Sequence, residues 1–137
     1  MITDFFSDLN WLAVFVATIA WFVFSAVWYS VPAMSKAWQK SARVNPDEGG
    51  SFAVALVTSF LCYLVTTIVI ALIAAGIGAS TFADGVALGV VLGIGFGVAS
   101  ALVSQVYENK GKDYWLINGL NAVIALTIVS VIVSVWA

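Results

Sequence analysis

Apolar residues run through this chain in four stretches, Leu9 to Tyr29, Phe52 to Ala75, Gly85 to Val106 and Leu116 to Trp136, and none of them carries a charge. A helix needs about 20 apolar residues to cross the hydrocarbon layer of a bilayer. Four strands cannot close a barrel in lipid, so each stretch reads as a helix. The pattern predicts an all-α membrane protein: residues 1–137 as a single transmembrane domain, an antiparallel bundle of four transmembrane helices. Trp11 and Trp28 stand 17 residues apart in the first stretch, roughly 25 Å along a helix, which suits two interfacial anchors. Trp21 falls between them and reads as a packing or lipid-facing residue.

Small and weakly polar residues within the stretches follow a finer pattern. Gly85, Gly89, Gly93 and Gly97 recur at every fourth position. An interior glycine costs a soluble helix roughly 1 kcal/mol relative to alanine. In a membrane it lets two backbones approach and pack by dispersion. On a helical wheel Ser100 and Ser104 join the same face, which predicts a glycine-zipper contact of right-handed crossing along the full depth of the bilayer. The second stretch offers a matching stripe of Ala55, Thr58, Ser59, Cys62 and Thr66 as its partner, and Thr127, Ser130 and Ser134 share a face of the fourth.

The connections carry the charge. Loop 30–51 holds Lys36, Lys40 and Arg43, and loop 107–115 holds Lys110 and Lys112; the opposite side has Asp4, Asp8 and Asp84. The positive-inside rule then places both basic loops in the cytoplasm and both termini outside, as a multi-pass protein of the cytoplasmic (inner) membrane. Pro32 is expected to stop the first helix. Ala33 to Arg43 is expected to form a short amphipathic helix on the inner leaflet, with Trp28, Lys36, Trp38, Lys40 and Arg43 at the membrane surface. Asn45 to Ser51 reads as a turn, with Ser51 the cap of the second span.

Composition narrows the chemistry. Of the 137 residues 63% are apolar and 9% charged, where soluble domains carry about 25%. There is no histidine, and Cys62 is the single cysteine, so no disulfide, thiolate cluster or metal site is expected, and no cofactor. Five basic residues are too few for nucleic acid. The first stretch also lacks the membrane-embedded glutamate by which small multidrug transporters of this length resemble one another. The densest polar grouping is Ser104, Gln105, Tyr107, Glu108, Asn118 and Asn121, beside Tyr29 at the end of the first span. Two readings of it stay open. One is a hydrogen-bonded hairpin closure with Glu108 paired to Lys110 or Lys112. The other is a vestibule that binds a small polar ligand through Tyr29, Gln105, Glu108, Asn118 and Asn121.

Asn10-Trp11-Leu12-Ala13-Val14, Trp28-Tyr29-Ser30 followed by Met34, Lys36 and Trp38, and Tyr107-Glu108-Asn109-Lys110 followed by Leu116-Ile117-Asn118 together resemble a bacterial membrane family, domain of unknown function 1761. The likeness covers nearly the whole chain in order. It implies four helices and marks Trp28, Tyr29, Lys36, Trp38, Glu108 and Asn118; it implies no activity. Val31 stands before Pro32 where many members place proline directly after the Trp-Tyr-Ser motif, and Asn121-Ala122 stands where members often carry Tyr-His. The function expected from all of this is a non-enzymatic homo-oligomer or accessory subunit of a larger membrane complex, embedded in the lipid bilayer. The alternatives are a channel or facilitator for an ion or small solute, and a lipid-binding or lipid-modifying protein.

Overall fold

A computed structural model describes residues 2–43 and 51–136, which are helical apart from short links, with no strand among the described residues. The helices are α1 (Ile2–Ser7), α2 (Trp11–Ser30), α3 (Pro32–Ala42), α4 (Phe52–Ile77), α5 (Phe82–Leu92), a π-helical turn (Gly93–Val98), α6 (Ala99–Tyr107) and α7 (Asp113–Val135). α5, the π turn and α6 form one continuous rod. Four helices are therefore long and apolar enough to cross a membrane: Trp11–Ser30, Phe52–Ile77, Phe82–Tyr107 and Asp113–Val135. The short α1 has no counterpart in the hydrophobic pattern, because six residues give a periodicity too little length to show.

Local chemistry sets the ends. The Asn10 side chain accepts from the Ala13 N–H and caps α2, supplying one of the partners that a first helical turn lacks. Val31 turns the chain to ψ 124°, and Pro32 opens α3, where its missing N–H costs nothing. The break is a single residue, so α3 starts where α2 stops. Ser51 caps α4; the rest of the expected turn over residues 45–51 lies outside the described residues. Gly78, at φ 73°, ends α4 in a left-handed conformation that suits glycine. Thr81 and Asp84 then form a reciprocal capping box at the start of α5.

α7 is the centre of the bundle. It packs against α2, α3, α4, α5, α6 and the π turn; 44% of its most apolar stretch is buried, against 22% for α4. Val14, Ala17, Ile70, Ala74, Ala125 and Val129 form the tightest part of the core. Trp21 is buried and stacks on Tyr63 at 4.3 Å between ring centroids, joining α2 to α4.

The glycine ladder lies against α7. A Cβ placed on Gly85 would fall 2.5 Å from Val131 Cα, and one on Gly93 2.6 Å from Val123 Cα. The same addition would drive Gly89 into the Thr127 backbone and Gly97 into the Ala122 side chain. This corrects the expected partner. The second span's stripe looks elsewhere, with Ala55, Thr58 and Cys62 exposed and Ser59 and Thr66 half-buried. Small residues on two helices do not by themselves choose each other, and the links at 78–81 and 108–112 are both short, so chain connection favours neither neighbour.

The π turn accounts for a second departure. Four-residue steps over-rotate on an α-helix of 3.6 residues per turn, so a strict ladder drifts off its face. An i→i+5 turn takes almost one residue more per revolution and winds the face back. Through Gly85, Gly89 and Gly93 the partner on α7 steps from Val131 to Thr127 to Val123; across the π turn it moves only to Ala122. Beyond it the buried position is Ala101, while Ser100 is exposed and Ser104 half-buried. The face expected from the wheel is thus shifted by one residue, and Ser100 leaves the contact.

Gly89→Leu is expected to cost about 1–3 kcal/mol or more, because the clash is with backbone that cannot rotate away. Gly95 has nothing within 4 Å of an added Cβ, so Gly95→Ala is expected to be neutral or to raise stability by up to about 1 kcal/mol. Thermal denaturation of both variants in mild detergent measures the contrast.

Candidate functional site

At the end of the bundle where α2 gives way to α3, helix ends converge with their polar residues. Tyr29, in the last turn of α2, donates from its hydroxyl to Asn118 Oδ1 on α7 at 2.5 Å. One turn deeper, Asn121 Nδ2 donates to Ser25 Oγ at 3.3 Å, with both residues buried. Two side-chain hydrogen bonds therefore tie α2 to α7 on adjacent turns. Trp38 of α3 meets the Tyr29 ring edge to face at 5.9 Å, which holds α3 under the same junction.

The hairpin between α6 and α7 closes beside them. Gln105 Oε1 accepts from the Trp115 N–H at 3.2 Å, and the Gln105 carbonyl from the Lys110 N–H at 2.9 Å. Lys110 Nζ donates to the Ala42 carbonyl at 2.7 Å, and the Gly111 N–H to the Ser41 carbonyl. The last carbonyls of a helix lack intrahelical partners, and a cation there also meets the negative end of the helix dipole. Lys110 and Gly111 supply both needs for α3. Gly111 is required at this point, since a Cβ would come within 2.8 Å of Ser41 Cα.

The residues singled out from the sequence thus separate. Tyr29, Asn118 and Asn121 come together; Gln105 serves the hairpin; Glu108 is exposed on the turn. Lys110 turns to α3 for its acceptor, whereas the hairpin-closure reading pairs Glu108 with Lys110 or Lys112. Trp28 packs on Phe24 with its indole N–H buried and unpartnered. Lys36, Lys40 and Arg43 are exposed on α3 and Trp38 is half-buried. Ser25 was missed, as a lone serine in an apolar stretch carries no sequence signal. So was the matching clasp at the far end, where Asn10 Nδ2 donates to the Trp136 carbonyl at 2.8 Å. Among the described residues no group of three or more potential metal ligands occurs.

These features define a multi-pass membrane protein in which polar side chains at the helix ends fasten apolar helices together. Residues 12–134 match the family model described as a protein of unknown function, DUF1761, and the chain belongs to that family. No curated protein and no solved structure matches the chain.

Tyr29→Phe removes the hydroxyl and is expected to cost about 1 kcal/mol; Asn118→Leu is expected to cost a similar amount. If their bond is the shared cause, the double variant loses less than the sum of the two, by about 0.5 kcal/mol or more. A double-mutant cycle from denaturation in detergent provides the measurement.

Proposed function

We propose that this protein is a non-enzymatic, membrane-embedded assembly protein, a homo-oligomer or the accessory subunit of a larger membrane complex. The observation that carries this reading is the division of labour among the small-residue stripes. The glycine ladder is occupied within the chain by α7, whereas Ala55, Thr58 and Cys62 on α4 face outward. Small residues on an outer face let a further helix approach closely in lipid. The polar groups at the α3 end support the same reading, because Tyr29, Asn118, Asn121 and Gln105 are engaged in holding helices together.

The proposal includes an orientation: spans running antiparallel in the bacterial inner membrane, loops 30–51 and 107–115 in the cytoplasm, and both termini outside. Its basis is the placement of all five basic residues in those two loops. A second reading, a facilitator for an ion or small solute, has one observation in its favour. The hydroxyls of Thr67, Ser130 and Ser134 are buried in the bundle without partners, and such groups are costly in lipid unless water or solute reaches them. Flux of water, small solutes and ions into reconstituted liposomes tests it, and vesicles no leakier than empty ones would remove it.

Cys62, the single native cysteine, reads out the assembly directly. Oxidative or bifunctional crosslinking in native membranes is expected to give a dimer, or an adduct with a larger partner. A cysteine moved to the exposed face of α5, as Cys62→Ser with Val91→Cys, is expected to give neither. Monomer alone at Cys62 would count decisively against the reading. For the orientation, a C-terminal alkaline phosphatase fusion is expected to be active and a C-terminal green fluorescent protein fusion dark.

A further inference from the structure

α3 presents two unlike faces. Ser41 and Ala42 are buried, and Met34, Ala37 and Trp38 half-buried, against the rest of the protein. Lys36, Lys40 and Arg43 are exposed; Lys36 and Lys40, four residues apart, share one side of the helix, and Arg43 follows as its left-handed cap. No acidic residue occurs within Pro32–Ala42. The cations are also unoccupied. The needs of the α3 C-terminus are met by Lys110 and Gly111, and among the described residues no side-chain hydrogen bond or ion pair holds Lys36, Lys40 or Arg43.

The height of this row is fixed by the fold. One residue, Val31, separates α3 from the end of the first membrane-crossing helix. Trp38 rests on Tyr29 in the last turn of that helix, and the Ser41 and Ala42 carbonyls are fastened to the turn that leads into the fourth. The row is therefore held at the depth where the apolar spans end and lipid headgroups begin. From Lys36 to Arg43 it extends about 10 Å along the helix axis. That is a line of separate cations, suited to several neighbouring phosphates more than to one small anion.

We propose that the exposed face of α3, Lys36, Lys40 and Arg43, is a docking surface for the phosphate groups of anionic phospholipids in the leaflet at that end of the bundle. Each basic side chain near an anionic surface strengthens binding several-fold, and salt weakens it. This holds whether the protein is an oligomer or a single subunit, so it stands apart from the assembly reading.

The full-length protein in neutral detergent is titrated with short-chain phosphatidylglycerol, phosphatidylcholine or inorganic phosphate, and bound lipid is counted by native mass spectrometry beside the thermal midpoint. Phosphatidylglycerol is expected to bind and stabilise, more weakly as salt rises, with phosphatidylcholine and free phosphate far weaker. The triple variant Lys36→Gln, Lys40→Gln, Arg43→Gln is expected to lose affinity on the order of 100-fold. Lys36→Arg with Lys40→Arg is expected to retain it, which separates loss of charge from loss of fold. Equal binding of phosphatidylcholine, stabilisation by inorganic phosphate to the same extent, or unaltered phosphatidylglycerol binding by the folded triple variant would each overturn the proposal.

Discussion

The structure depends on a backbone-to-backbone approach between the third span and α7. Lipid tails are as apolar as leucine, so helices gain nothing in a bilayer by hiding apolar side chains from it. What they can gain is dispersion, which falls off so fast that small gaps forfeit much of it. Gly85, Gly89 and Gly93 remove the side chains that would hold the axes apart, and the α7 backbone occupies the space. With that seam formed, the opposite side of α7 is left for α2 and α4, whose Val14, Ala17, Ile70 and Ala74 close the core. The central place of α7 follows from serving the seam on one side and this cluster on the other.

Polar side chains act at the ends of this apolar arrangement. Asn10 fastens the start of α2 to the end of α7, and Tyr29 with Asn118 fastens the end of α2 to the start of α7. Each bond inside a membrane protein is worth on the order of 0.6 kcal/mol, too little to hold the bundle against poor packing. Their value is positional. Two clasps at opposite ends of one helix pair permit a single axial alignment of α2 on α7, and the Tyr29 clasp in turn gives Trp38 and α3 a fixed platform.

Much of this was legible in the sequence, and the parts that were not share a cause. The four spans follow from charge-free length, and the Ser51 cap and the break at Val31–Pro32 from residue chemistry. Tyr29, Asn118 and Asn121 stand out because amides and a phenol are conspicuous beside apolar helices. Pairing is a different matter. The stripe with Thr58 and Cys62 and the stripe on α7 look alike as strings, and nothing along the chain says which one meets the glycines. The π turn is invisible to a wheel drawn at a constant angle, so the exchange of Ser100 for Ala101 leaves no sign in the sequence. Ser25 escaped because its importance lies wholly in Asn121, 96 residues away.

A ladder of equal rungs raises a problem of its own. Slid by four residues along α7, Gly85 and Gly89 would again face α7 backbone, at Thr127 and Val123, and the contact alone would not say which alignment is correct. The rung that follows the ladder breaks that symmetry. At Gly119 the small residue belongs to α7 and the side chain, Val98, to the third span. Moving the third span one repeat either way would set Val98 against Val123 or Trp115, side chain on side chain, at the separation that Gly119 allows. The π turn is what aims Val98 there, since it re-phases the helix just where the glycines end. The ladder therefore sets how close the two helices come, and the reversed rung after it sets where along each other they stop.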